Sequence, residues 1–237
     1  MKAPDLDSVR VGIQPVSLVD YPGRVSAVAF LAGCNFRCPY CHNPDLALNR
    51  AGAAGQTWAE LRAHLEQRRG LLTGLVISGG EPTMTSCLPE LVADARRLGY
   101  AVKLDTNGSE PERLEVLSLD YVAMDVKTAL ARYGELWPGA PADAAERVAR
   151  SMDVIRSMGV PYEFRITCAP GIFGPADAEA VAPYFRPDDQ VILQAYRSAR
   201  VLDPAWAERV GPVTEARLKD LADIIRRVAP KTRVRGV

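Results

Sequence analysis

The chain has 237 residues, 48% of them hydrophobic, which is enough for one large α/β domain or two small ones with a substantial core. Lys and Arg total 29 and so do Asp and Glu, a balance that calls for neither nucleic acid nor an anionic membrane. No run approaches the roughly 20 apolar residues of a membrane helix, the polar start Met1–Val9 lacks a signal-peptide core, and five cysteines without a disulfide-like framework fit a reducing, cytoplasmic setting.

Strand and helix patterns alternate along the chain. Apolar, β-rich runs predict strands at Val25–Leu31, Gly74–Ser78, Ala101–Asp105, Tyr121–Val126, Tyr162–Thr167 and Val191–Ala195. Helical patterns lie between them at Thr57–Arg69, Cys87–Leu98, Pro111–Leu117, Ala144–Met158 and Asp177–Tyr184, and a last one follows at Thr214–Val228. Thr57 and Thr214 are placed as N-caps, and Gly70, Gly99 and Gly159 as left-handed helix ends. Short connections in such an alternation imply a parallel sheet with crossover helices. Six units in this length fit a partial (β/α)6 TIM-like barrel better than a closed eight-unit one.

The first strand runs directly into Gly33-Cys34-Asn35-Phe36-Arg37-Cys38-Pro39-Tyr40-Cys41-His42-Asn43-Pro44. Structural zinc and ferredoxin-type clusters normally take four protein ligands. Three thiolates spaced C-x3-C-x2-C can hold three irons of a [4Fe-4S] cube and leave the fourth open to a cosubstrate. Other readings exist. Cys38 and Cys41 also spell a redox dithiol, but that leaves Cys34 unexplained. Cys38 to His42 also spells a c-type haem attachment signal, which needs export. Cys34, Cys38, Cys41 and His42 could make a Cys3His zinc site, with His42 bending back beside its neighbour. Three unrelated buried thiols are the last option.

Polar groups gather at the C-terminal ends of the predicted strands, the rim where α/β folds bind ligands. Gly79-Gly80-Glu81-Pro82 follows the second strand, and Asp105-Thr106-Asn107-Gly108 ends the third. Asp125 and Lys127 end the fourth, Arg165 and Thr167 the fifth, and Gln194 the sixth. Each has a plainer reading. Gly-Gly and Asn-Gly are ordinary turns. Asp125 and Lys127 could form a buried ion pair, and Arg165 could pair with Asp105 or Asp125. Together these carboxylates and cations suit a zwitterionic amino-acid group.

These motifs resemble the radical S-adenosylmethionine (SAM) superfamily, and within it the activating enzymes of glycyl radical enzymes. The similarity is greatest to the anaerobic ribonucleoside-triphosphate reductase activating proteins. It rests on Cys34 to Pro44, Ser78 to Pro82, Leu104 to Gly108, Met124 to Lys127 and the lead-in Val19 to Gly23. It spans roughly Val11 to Ala195 and implies a single radical SAM domain over residues 1–237, with a helix and strand in the tail 201–237. The resemblance implies that Cys34, Cys38 and Cys41 bind one [4Fe-4S] cluster whose open iron takes SAM. Tyr40 would lie near the adenine. Glu81, with Gly79 and Gly80, would hold the amino group, and Asp105, Thr106 and Asn107 would reach the methionine moiety or ribose. Asp125 and Lys127 match a pattern that contacts the cosubstrate and a monovalent cation, with Arg165 and Gln194 as further contacts. Asp20 would sit near the partner's glycyl loop.

The implied partners are a glycyl radical enzyme, namely the anaerobic ribonucleotide reductase, and a flavodoxin- or ferredoxin-like electron donor. Cys87 and Cys168 match no cluster spacing. The tail residues Arg226, Arg227, Lys231, Arg233 and Arg235 read as a solvated helix face and terminal strand. The C-terminal third adds few polar groups specific to a substrate, so an open mouth that admits a peptide loop is expected. The alternative is a radical SAM enzyme acting on a small molecule in a biosynthetic pathway. A non-catalytic cluster or zinc module is the remaining class.

Overall fold

The computed structural model describes residues 5–50, 52, 54–197 and 199–236. The strands are β1 (Arg10–Ser17), β2 (Ser26–Leu31), β3 (Gln56–Thr57), β4 (Gly74–Gly79), β5 (Ala101–Thr106), β6 (Tyr121–Asp125), β7 (Tyr162–Cys168), β8 (Val191–Ala195) and β9 (Arg233–Arg235). The α-helices are α1 (Pro44–Ala47), α2 (Trp58–Gln67), α3 (Leu88–Arg97), α4 (Pro111–Leu114), α5 (Ala144–Ser157), α6 (Pro175–Val181), α7 (Pro204–Val210) and α8 (Glu215–Arg226). All strands join one sheet in the order β3-β1-β2-β4-β5-β6-β7-β8-β9. From β2 onward every neighbour pair is parallel, while β1 pairs antiparallel with both β2 and β3.

The six predicted strands and six predicted helices are all present. The sheet stays unclosed, as a partial TIM-like barrel does, with β3 at one edge and β9 at the other. Four strands and helices lie beyond the expectation: β1, β3, α1 and α7. β1 is hard to read because Pro15 interrupts it and the pairing register slips between Gln14 and Ser17. A proline lacks the N–H a ladder needs and sits naturally at such a slip.

Local signals place the helices as expected. The Thr57 side chain accepts from the Glu60 N–H, and Glu60 returns a bond to the Thr57 N–H, closing a capping box on α2. Thr214 caps α8 by accepting from the Arg217 N–H. Gly99 and Gly159, at φ +92° and +69°, follow the last residues of α3 and α5 in the left-handed region.

Side chains alternate across each strand. Leu75, Ile77, Val102, Leu104, Val122, Met124, Phe164 and Ile166 face the helices and form the main core. On the concave face, Tyr21, Val28, Val76, Tyr121 and Ala123 pack a small apolar floor. Above that floor, toward the strand C-termini, the same alternation presents Asp105, Asp125, Arg165, Thr167 and Gln194. Among the described residues no helix is long and apolar enough to cross a membrane.

Candidate active site

The concave mouth holds a cavity of about 220 Å³. Its wall contains every residue expected at the site except Asp20: Cys34, Cys38, Cys41, Tyr40, Gly79, Gly80, Glu81, Asp105, Thr106, Asn107, Asp125, Lys127, Arg165 and Gln194. Asp20 lines an adjoining cavity of about 360 Å³, which shares His42, Arg165 and Gln194 with the first.

The cysteine loop is held by its backbone. Gly33 N–H donates to Leu46 O at 2.7 Å, Cys34 N–H to Ala47 O at 3.2 Å, and Cys41 N–H to Cys38 O at 3.0 Å. Phe36 anchors the loop against Tyr133 and Trp137, at ring distances of 5.7 and 5.3 Å. Burial pushes the Cys34 thiol up to about 12, against the pull of the Phe36 N–H, which donates to Sγ at 3.3 Å. Burial also raises Cys38, and the Lys127 ammonium opposes it. Such thiols stay protonated until a cation replaces their protons. Among the described residues no three Cys, His, Asp or Glu side chains form a closed grip on a single ion. His42 Nε2 accepts the Arg197 N–H at 3.4 Å, so that nitrogen is not turned toward the cysteines. The fourth and fifth sulfurs, Cys87 and Cys168, are buried away from this wall.

The two glycines after β4 serve the backbone. A Cβ on Gly79 would lie 2.1 Å from Leu31 O, and one on Gly80 2.0 Å from Gly33 O. Their small size lets the β4 loop press onto the cysteine loop, where Gly80 N–H reaches Leu31 O and Glu81 N–H reaches Gly33 O. This close packing requires glycine at both positions, and Gly79, at φ +127°, also needs it for its backbone conformation.

Glu81 is fully buried, with its carboxylate already engaged. Oε1 accepts from Thr83 N–H, Thr83 Oγ1 and Thr106 Oγ1 at 3.1, 2.6 and 2.8 Å, and Oε2 accepts from Asn107 N–H at 2.6 Å. Burial raises its pKa, and those donors resist the rise. The Asn107 amide donates to Asn35 Oδ1 at 2.8 Å and lies 3.9 Å from Cys34 Sγ. Glu81, Thr106 and Asn107 therefore tie the β4 and β5 loops to the cysteine loop.

Asp105, Arg165, Asp125 and Lys127 form a half-buried ladder at the ends of β5, β7 and β6. Arg165 Nε donates to Asp125 Oδ1 at 2.9 Å, and Arg165 Nη1 lies 3.4 Å from Asp105 Oδ1. Lys127 Nζ donates to Asp125 Oδ2 at 3.0 Å, Lys103 pairs with Asp105, and Ser78 Oγ donates to Asp105 Oδ2 at 3.1 Å. Burial alone would raise Asp125, but Arg165 and then Lys127 hold it well below the carboxylate range. Both Asp125 oxygens thus have cationic partners within the chain. Gln194 Nε2 donates to Thr167 Oγ1 at 3.1 Å.

Among the described residues, two polar atoms of the cysteine loop are buried without a hydrogen-bond partner, the Tyr40 hydroxyl and Asn35 Nδ2. Tyr40 packs on Trp206 of α7 at 6.3 Å, and Trp206 on Tyr196 at 5.2 Å. Asp203 N–H donates to Pro39 O at 3.0 Å. The tail therefore buttresses the cysteine loop, a role with no signal in the motifs. Its basic residues are mostly the expected solvated face: Arg226, Arg227 and Lys231 pair with Asp223, Glu179 and Asp188. Arg235 is exposed as well, and its guanidinium also reaches buried Glu163 at 3.1 Å.

The chain matches the Radical SAM superfamily over residues 28–179. It belongs to that superfamily. It is therefore a radical SAM enzyme, and a [4Fe-4S] cluster and SAM are its cofactors. A Methanocaldococcus jannaschii protein, named as a proposed glycyl-radical enzyme activating enzyme, is 32% identical over 234 residues, covering 95% of each chain. The pyruvate formate-lyase-activating enzyme of Clostridium pasteurianum is 34% identical over 125 residues, covering 48% of this chain and 50% of its own. Among solved structures, Streptococcus suis SuiB bound to S-adenosylmethionine superposes with a TM-score of 0.61 at 16% identity, covering 88% of this chain and 52% of that chain. That likeness is one of fold.

Proposed function

We propose that this radical SAM enzyme is an activase that places a glycyl radical on a partner, the anaerobic ribonucleoside-triphosphate reductase. The observation that carries the activase reading is the end-to-end similarity to the Methanocaldococcus jannaschii relative, 95% of both chains. The reductase is the partner favoured by the motif pattern from Asp20 to Lys127.

In this reading Cys34, Cys38 and Cys41 hold three irons of the cluster. Three soft thiols on one wall, with no fourth sulfur beside them, fit that donor set. The Tyr40 hydroxyl, Asn35 Nδ2 and the Lys127 ammonium, with one of its three donors spent on Asp125, offer polar capacity for SAM. When bound, the cofactors supply one electron that breaks a carbon–sulfur bond of SAM, giving methionine and the 5′-deoxyadenosyl radical that takes a hydrogen atom from glycine. The chain's own part is positioning: the tied loops fix the cysteines, and the ion ladder sets the floor's charge before the substrate arrives.

The test combines anaerobically reconstituted, dithionite-reduced protein, SAM and the reductase. A glycyl doublet in the electron paramagnetic resonance spectrum, lost with Cys34→Ala, Cys38→Ala or Cys41→Ala and kept with Cys87→Ala, is the expected result. No doublet with this or any other glycyl radical enzyme, alongside turnover of a small metabolite, would favour the biosynthetic alternative.

A further inference from the structure

We infer that Asn107 is a positioning residue for the Cys34 thiolate and, through its amide N–H, makes the cluster easier to reduce. This rests on the reading of Cys34 as a cluster ligand.

The amide of Asn107 has one orientation that satisfies its surroundings. Its Oδ1 accepts the Ser109 N–H at 2.9 Å, so Nδ2 must face the other way. There one N–H donates to Asn35 Oδ1 at 2.8 Å, and the sulfur of Cys34 lies 3.9 Å away. The main chain is equally fixed, since the Asn107 N–H donates to Glu81 Oε2 at 2.6 Å. Glu81 in turn is locked by Thr83 and Thr106. A donor is therefore held beside Cys34 by a buried chain of hydrogen bonds that begins on β4 and passes through the β5 loop.

The only other donor to that sulfur among the described residues is the Phe36 N–H at 3.3 Å, which belongs to the cysteine loop itself. Asn107 is thus the external restraint on Cys34. A neutral thiol accepts such a bond weakly. A thiolate accepts it as a charge-assisted bond, and the contact strengthens when the donor sits in a dry wall. Asn107 is 5% exposed. Adding an electron puts more negative charge on the cluster sulfurs, so a fixed N–H donor stabilises the reduced state more than the oxidised one. Hydrogen bonds to sulfur and local charge are among the terms that set cluster potentials. Removing the donor should make reduction harder, and replacing it with a carboxylate harder still.

The experiment reads the midpoint potential of the reconstituted full chain by redox titration followed with electron paramagnetic resonance, together with iron content. Asn107→Ala should retain iron, with the reduction equilibrium about tenfold less favourable, a fall of about 59 mV for a one-electron couple. Asn107→Asp should fall further. An iron-loaded Asn107→Asp with the parent's potential would overturn the proposal. A folded Asn107→Ala that no longer holds iron would overturn it too, by making Asn107 a condition of cluster binding rather than a modulator of its potential. Should Asn107→Asp not fold, Asn107→Leu, close to it in volume, removes the donor and keeps the site filled. Its potential should also drop, and an unchanged value overturns the proposal. Iron retained in full by Cys34→Ala would instead overturn the ligand assignment, which separates the two failures.

Discussion

At the scale of single residues, Glu81 is a motif carboxylate whose oxygens are engaged by the chain itself. Its two oxygens accept four hydrogen bonds from Thr83, Thr106 and Asn107. Glu81→Ala should therefore destabilise the metal-free protein by about 3 kcal/mol, because more than one buried donor loses its acceptor. A lower urea midpoint at unchanged slope is the expected readout. A midpoint equal to the parent's would mean that the carboxylate serves the cosubstrate alone. Asp125 makes a second case, with a sign fixed by its partners. Its pKa in the folded chain lies below the ordinary 3.8, because Arg165 and Lys127 outweigh burial. A depressed carboxylate contributes stability above its unfolded value and loses it as pH falls through the folded one. Metal-free stability should thus be level from pH 7 to about 5 and fall below about 4. Asp125→Asn should flatten that acid limb while lowering the plateau by about 3–5 kcal/mol, since Arg165 and Lys127 lose their shared partner. Urea titrations across pH measure both, and an acid limb equally steep in the variant would show that other carboxylates carry it.

Among the elements, α7 is the one whose role reaches beyond its length. It has seven residues, yet Trp206 covers Tyr40 between two of the cysteines, and Asp203, its N-cap, binds the Pro39 carbonyl. Trp206→Ala should cost about 3–5 kcal/mol, the usual range for emptying a buried Trp site. It should also speed thiol alkylation of Cys38 and Cys41 in the metal-free protein, while Cys87, at the N-cap of α3, reacts at its former rate. Equal acceleration of all three would indicate global loosening. The contrast with β2 and β4–β8 shows what the sequence makes legible. Those strands are continuous apolar runs ended by polar groups, and each parallel strand needs no knowledge of its neighbour to be recognised. The rim placement of Asp105, Asp125, Arg165 and Gln194 followed from the same alternation. The identity of their partners did not follow. Whether Glu81 and Asn107 face a ligand or each other depends on how closely two loops approach, and that was set by Gly79 and Gly80 against Leu31 and Gly33. Arg235 is exposed as expected, and its pairing with buried Glu163 was illegible because the two lie far apart in sequence and meet only through the β8–β9 pairing.

For the whole molecule, the consequence of an unclosed sheet is a seam between its two edges. The second cavity lies along that seam, with Val19, Asp20 and Pro22 on the side of the β1–β2 connection and Arg197, Arg235 and Gly236 on the other. It joins the site at His42, Arg165 and Gln194. Leu18 and Val19 stand 74% and 82% exposed at its rim. The Asp20 carboxylate is held by the Ser17 hydroxyl and makes no ion pair among the described residues. A protein substrate that sends a glycine loop into the site must contact this rim, whereas a small metabolite can pass it. Val19→Glu and Asp20→Ala should therefore lower glycyl radical formation on the partner about tenfold, roughly 1.4 kcal/mol of lost recognition. Both variants should keep the parent's iron content and its uncoupled, dithionite-driven release of 5′-deoxyadenosine, because neither residue touches the cysteine loop or the ion ladder. Quantifying radical spins and free 5′-deoxyadenosine in the same reaction separates the two effects. A matching fall in both would place these residues in cofactor binding, and no fall in either would mean that the partner approaches from another side.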